Sequence, residues 1–188
     1  MNGTNTANPT GTYGVQGTPS ANNSPPGLYQ AQQWTDNQGD FWLFGGVDSG
    51  QNEYSDLWEY IPSANTWTWI NGPGVPLQGG VYGTLGVPSP ANIPGARAWG
   101  CATWTDTVGD LWLWGGQGYD SAGGFGNLND MWSYSIATDQ WTWRGGTKAS
   151  NDTGIFGNLY QSSASLRPPS RSESNTAWID GNDNLWMF

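Results

Sequence analysis

Histidine is absent from this chain of 188 residues, cysteine occurs once, and only five residues are lysine or arginine. Each shortage closes a class of function. A single cysteine, Cys101, makes no internal disulfide. It lies in the run Trp99-Gly100-Cys101-Ala102, which reads as a buried strand, so a small core residue is expected there rather than a reactive thiol. Without histidine the commonest general base and metal ligand is missing. There is no Gly-Lys-Ser phosphate loop and no metal-ligand cluster either, so neither catalysis nor a cofactor is expected. The basic residues are scattered, whereas phosphate contacts need clusters of them. With a net charge of −10, this argues against nucleic acid or an anionic membrane as partner. No apolar run approaches the roughly 18 residues of a membrane-spanning helix, so no membrane insertion is expected. No stretch keeps helical periodicity beyond a turn or two, and the opening MNGTNTANPT has neither the basic nor the apolar region of a signal peptide.

Glycine and tryptophan are abundant, at 29 and 14 residues, while charged residues make up only 11%. Much glycine and little charge would by themselves suit a disordered chain. The aromatic content of 14% argues otherwise, because such rings bury large areas. Short aromatic runs punctuated by Gly, Pro and Asn predict an all-β protein rich in turns.

The chain repeats itself. Trp34-Thr35-Asp36 followed by Phe41-Trp42-Leu43-Phe44-Gly45-Gly46 returns as Trp104-Thr105-Asp106 followed by Leu111-Trp112-Leu113-Trp114-Gly115-Gly116. It returns again as Trp178-Ile179-Asp180 with Leu185-Trp186-Met187-Phe188. Asp56-Leu57-Trp58-Glu59-Tyr60 with Trp67-Thr68-Trp69 is matched by Asp130-Met131-Trp132-Ser133-Tyr134 with Trp141-Thr142-Trp143. Each unit reads as four antiparallel strands, A to D. Strand B, Phe41–Phe44, is apolar throughout and predicts burial on both faces. Strand D alternates Trp67 and Trp69 with Thr66 and Thr68, predicting an outer strand with one packed face and one wet face.

Loop lengths sharpen this. The D–A connectors 2–24, 71–93 and 145–167 each hold 23 residues, and a recurring Tyr-Gly pair at Tyr13-Gly14 and Tyr82-Gly83 predicts that they are structured. The B–C loops differ, 47–55 against 117–129, and take up most of the change in period from 70 to 74. In an up-and-down meander the B–C and D–A loops emerge at one end of the sheets, where function tends to gather.

These residues resemble kelch repeats, as found also in the central domain of galactose oxidase. The signature is a Gly-Gly pair after strand B, then Tyr and Trp about seven positions apart. Here these are Gly45-Gly46 with Tyr60 and Trp67, and Gly115-Gly116 with Tyr134 and Trp141. Pro94 with Arg97 and Pro168 with Arg171 match the opening of kelch strand A; the first unit has Pro25 and Leu28 there. The resemblance implies tandem blades of a β-propeller in an incomplete ring. It divides the chain into a connector (1–24), blade 1 (25–70), a connector (71–93), blade 2 (94–144), a connector (145–167) and strands A and B of a third blade (168–188). The copper chemistry of galactose oxidase uses histidine, so that active site is not expected in this segment. Both ends fall within a unit, which predicts a partial reading frame, with the remaining blades supplied by further sequence or by self-association.

Several residues invite sharper readings. Asp36, Asp40, Asp106, Asp110, Asp180 and Asp183 gather in the A–B turns. Oxygen-rich loops suit calcium, but Asp also starts turns by bonding its own backbone, and that reading is preferred. Arg97 and Arg171 are expected to pair with a neighbouring blade rather than to bind an anion. Most tryptophans recur at fixed strand positions, as packing requires; Trp99 alone does not, and it too is expected in the core. Tyr13, Tyr82 and Tyr119 lie on the long-loop face and are the candidates for ligand contact. The preferred function is a non-enzymatic propeller, extracellular or at the cell surface, that presents its loop face to a protein or glycan. The alternative is a structural arm of a secreted carbohydrate-active enzyme whose catalytic residues lie elsewhere.

Overall fold

The computed structural model of the chain describes residues 3–173 and 177–187. The protein is all-β, with no helix among the described residues. The first sheet holds β1 (Gln32–Thr35), β2 (Phe41–Phe44), β3 (Leu57–Ile61) and β4 (Thr66–Asn71), antiparallel and in sequence order. The second unit contributes β5 (Arg97–Ala98), β6 (Ala102–Thr105), β7 (Leu111–Trp114), β8 (Gln117–Tyr119), β9 (Phe125–Asn127), β10 (Met131–Ser135) and β11 (Gln140–Gly145). Of these, β6, β7, β10 and β11 form a second four-stranded meander. The last pair is β12 (Ala177–Ile179) with β13 (Leu185–Met187). No sheet is closed, and the arrangement is consistent with successive propeller blades.

The registers of the two full sheets superimpose. Tyr60 faces Trp67 and Trp58 faces Trp69 in one; Tyr134 faces Trp141 and Trp132 faces Trp143 in the other. A bulge falls at Leu57/Trp58 and again at Met131/Trp132. Cross-strand aromatic pairs of this kind hold register, because a slip of one residue would turn every ring to the other face.

The sheets pack face to face, with the A strands side by side. The Trp34 indole N–H donates to the Trp112 carbonyl at 2.9 Å. Trp42 meets Tyr134 at 5.7 Å between ring centres, and Phe44 meets Trp141 edge-on at 5.3 Å. Both members of the β1 and β6 pair lie against each other, where Thr103 and Thr105 hydroxyls approach the Gln33 and Thr35 carbonyls. Trp132 and Trp141 are fully buried in this core.

Three expectations need correction. The first concerns strand D, whose threonine face is not wet: Thr68 and Thr142 are only 2% and 4% exposed. The outer edge is covered too. The connector ahead of each sheet runs out to its last strand, so that Ser20 bridges Trp67, Gly17 donates to the Trp69 carbonyl, and Asn23 Nδ2 donates to Trp67. Ser89, Gly86 and Asn92 do the same for Trp141 and Trp143. Backbone groups of an edge strand need partners, and the 23-residue connectors supply them.

The second correction is to segment 117–129, which is not a loop. β8 and β9 form a hairpin that joins β5 in a three-stranded sheet. Its tip is tied by Asp120 Oδ1, which accepts the Ala122 and Gly124 amides. The first unit has a shorter version, in which Val47 bridges both Tyr29 and Glu53, and Asp48 accepts the Gly50 and Asn52 amides. The third correction is to strand A of the second unit, which is broken. Trp99 and Gly100 take φ of 59° and 76°, separating β5 from β6. A Cβ on Gly100 would stand 2.5 Å from the Glu173 backbone, so this close approach requires glycine.

Candidate functional site

The recurring Gly-Gly, Tyr and Trp residues build the scaffold. The Gly45 and Gly115 amides donate within their own units, to Asp56 and Asp130 carbonyls. The Gly46 and Gly116 amides donate to the next unit, reaching the Arg97 and Arg171 carbonyls at 2.9 Å in both cases. A Cβ on Gly45 would meet the Arg97 carbonyl oxygen of the next unit at 2.6 Å, so the first glycine of that pair lets the two units approach, while a Cβ on Gly116 would meet Cys101 Sγ of its own unit at 2.3 Å. Tyr60 donates to Asn65 and Tyr134 to Asp139, closing the C–D turns, and each tyrosine packs on its tryptophan, Trp67 or Trp141.

Arg97 is wholly buried and pairs inside its own unit rather than with a neighbouring one. Its two terminal nitrogens each lie 2.7 Å from an Asp130 oxygen, and Nε and Nη1 also donate to the Gly95 and Gly115 carbonyls. Planar two-pronged donors suit a carboxylate in this way. The pair keeps the guanidinium charged and raises its pKa against the opposing effect of burial. Arg171 has only backbone engagement among these bonds, bridging Leu128, and its side chain is exposed.

The three loop tyrosines separate. Tyr82 is 3% exposed, donates to Asp130 at 2.7 Å and packs on Trp132 and Trp143. Tyr13 repeats this in the first unit, donating to Asp56 at 2.7 Å and packing on Trp58 and Trp69. Burial, then the neighbouring carboxylate, raises both phenols above their ordinary range. Tyr82 is therefore buried away from any ligand, while Tyr13 stays partly exposed; at this recurring position both hydroxyls are taken up by the aspartate that opens strand C. Tyr119 differs. It is partly exposed, stacks at a tilt on Phe125, and lines a cavity.

The turn aspartates act on their own backbone. Asp36 Oδ1 accepts the Gln38 and Asp40 amides, and its Oδ2 accepts the Trp42 indole. Asp106 and Asp180 repeat the pattern with Trp112 and Trp186. Bonds from Asn184, Trp186 and backbone amides hold the Asp180 carboxyl down to about 2. Asp36, Asp40 and Glu59 crowd within 4.8 Å, and burial followed by mutual repulsion pushes Asp40 and Glu59 up. Hydrogen bonding already accounts for Asp36 in this cluster. Asp110 is pushed up by burial, and Asp183 caps the neighbouring turn by accepting from Thr107. Burial pushes the Cys101 thiol up to about 12, and Sγ points to the Gly115 carbonyl, as suits a core residue.

One cavity of about 450 Å³ draws its walls from all three units. Val47, Gln51 and Glu53 come from the B–C loop of the first, and Trp99, Gln117, Tyr119 and Phe125 from the β5–β8–β9 sheet of the second. Glu173 completes it from the third. Trp99 is therefore not a core residue, as its sequence context suggests, but a wall of this cavity. Gln51, Trp99 and Glu173 all take left-handed backbone angles, φ 64°, 59° and 56°, and strain of that kind concentrates at functional sites. Local bonds hold them there: the Glu173 amide donates to the Trp99 carbonyl at 2.8 Å, Tyr29 meets the Trp99 ring edge-on, and Gln51 Nε2 donates to Tyr29.

Glu53 is the unusual group. It is 4% exposed, and its Oε2 has no hydrogen-bond partner among the described residues. Burial pushes its carboxyl up to about 7, and the Arg97 charge opposes that only in part. No lysine or arginine lines the cavity. Sequence reasoning missed Glu53, Gln51, Gln117, Phe125 and Glu173. The one signal available was negative, since these residues do not recur from unit to unit.

Among solved structures the chain is similar to that of YjhT, at 19% identity and a TM-score of 0.41 over 65% of this chain. The chain spans 38% of the length of that one. No family model matches the chain, and no curated protein matches it.

Proposed function

We propose that this chain is part of a kelch-type propeller that works by binding rather than catalysis, offering its B–C hairpin face to a protein or glycan outside the cell. The remaining blades come from further sequence or from other copies of the chain. The observation that carries the reading is the cavity among Val47, Glu53, Trp99, Tyr119, Phe125 and Glu173, assembled from three successive units. Its volume falls in the range of ligand pockets, about 300–1,000 Å³, and such pockets combine apolar walls with a few polar groups. The acidic surface and scarcity of lysine suit a secreted or surface-bound protein.

Arrays of glycans and peptides, probed with the 188-residue chain and with a Tyr119→Ala/Phe125→Ala variant, test this. A ligand lost by the variant at an unchanged melting temperature supports the reading. A ligand held equally by both, or none at all, sinks it.

A further inference from the structure

The cavity has a charge pattern that narrows what it can hold. Two of its lining residues, Glu53 and Glu173, are carboxylates, and none is basic. Three are aromatic, Trp99, Tyr119 and Phe125, and the faces of such rings are electron-rich. Glu53 is buried with an oxygen that no described residue satisfies. A buried carboxylate in that condition is costly, and a ligand that donates to it recovers the cost.

The nearest basic group does not serve. Arg97 influences Glu53 through space, but both of its terminal nitrogens are bonded to Asp130. An anionic ligand would meet two carboxylates and the net charge of −10. Calcium wants about 6–8 oxygen ligands, and aromatic rings supply none. A neutral hydroxyl could donate to Glu53 but would leave its charge uncompensated. A compact organic cation meets every part of the wall: charge for Glu53 and Glu173, and alkyl or ammonium surface for the rings.

We infer that this cavity binds an alkylammonium group, with Glu53 as its ion-pair partner and Trp99, Tyr119 and Phe125 as its aromatic walls. The group is either a lysine side chain of a partner or a free small amine. This rests on the reading of the loop face as a binding face, and it adds the chemistry that face selects. Gln51 and Gln117 also line the cavity, and a glutamine side chain carries an amide oxygen that can accept from a primary ammonium.

The test titrates the 188-residue chain with tetramethylammonium and with Nα-acetyl-lysine methylamide, using ligand-observed NMR. Tert-butanol, similar in shape and uncharged, is the control. The expected result is saturable binding of at least one ammonium probe, at least about 10-fold tighter than tert-butanol. Glu53→Gln, which keeps shape and removes charge, weakens it by about 10-fold or more, and Glu173→Gln by about 2-fold, since exposed charges are screened. A preference for the lysine derivative points to a protein side chain, and a preference for tetramethylammonium points to a small quaternary amine. Tyr119→Ala gives a second wall variant should Glu53→Gln fold poorly.

The inference is overturned by equal binding of tert-butanol, by no ammonium binding, or by binding that neither Glu53→Gln nor Tyr119→Ala alters. If an array ligand still depends on Tyr119 while neither ammonium probe competes with it, the cation fails and the binding face stands. If Tyr119→Ala/Phe125→Ala alters no ligand at all, both fail.

Discussion

Asp56 and Asp130 occupy the same place in successive sheets, at the start of strand C, and keep different company. Both are buried, at 2% and 0% exposed, and both accept a bond from a connector tyrosine at 2.7 Å. Asp130 also receives Arg97 in two prongs and the Trp132 indole. Among the described residues Asp56 receives only the Gly74 amide in addition, and the Trp58 indole, the counterpart of the Trp132 indole, has no partner there. Burial accordingly raises the Asp56 carboxyl against the pull of Tyr13 and Gly74. The backbone frame is thus indifferent to whether the ion pair is there. What the arginine changes is how strongly one unit depends on a single side chain.

The sharpest way to break the comparison is Arg97→Leu. It strands Asp130 in the core, and urea denaturation should show a loss of about 3–5 kcal/mol. Adding Asp130→Asn should return much of it, because a removed pair costs less than a broken one. The first sheet offers no equivalent lesion. Next is Trp141→Ala, fully buried, with an expected loss of about 3–5 kcal/mol, set against Trp67→Ala, whose ring is partly exposed and should lose visibly less.

Tyr82→Phe should cost about 1.5–3 kcal/mol by removing a bond to a buried charge, and Tyr13→Phe about half as much, measured in the same way. An effect of similar size concerns Glu53, a buried carboxylate that, like Asp56, has no bonded cation. Its folded pKa of about 7 lies above the ordinary 4.5, so the folded chain holds this proton more tightly than the unfolded one. The native state is favoured below about pH 4.5 and loses that advantage as pH rises to about 7. Glu53→Gln should therefore stabilise the chain at pH 8 and not at pH 4. The difference should be on the order of 1–2 kcal/mol, since the group borders an open cavity. A flat difference across that range would show that Glu53 is solvated.

Much of the scaffold was legible because packing repeats. Trp42 and Phe44 are buried as the apolar run of strand B predicts, but Phe41 is 49% exposed, so β2 is not covered on both faces along its whole length; Tyr60 with Trp67 returns as a facing pair, as the repeat suggested. The hairpin β8–β9 was hidden by its glycines, which suit a loop as well as a tight strand pair. The partner of Arg97 was hidden because pairing depends on how the chain crosses the sheet. Among the loop tyrosines, recurrence was itself the clue. Tyr13 and Tyr82 return at one position and are structural, while Tyr119 does not return and faces the cavity. Glu53 carried no such clue, since only folding reveals that a loop carboxylate is buried.

The connectors cross ahead of the sheet they serve, much as one roof tile overlaps the next. The piece that can be lifted out whole therefore begins before a connector and ends after strand D, not at strand A where the repeat reads most clearly. A nick within 12–24 or 81–93 would uncover the carbonyls of Trp67 or Trp141 while leaving every strand intact. The freed rim would then invite a strand from another molecule. In this architecture a segment that looks like a spacer is what keeps neighbouring molecules apart.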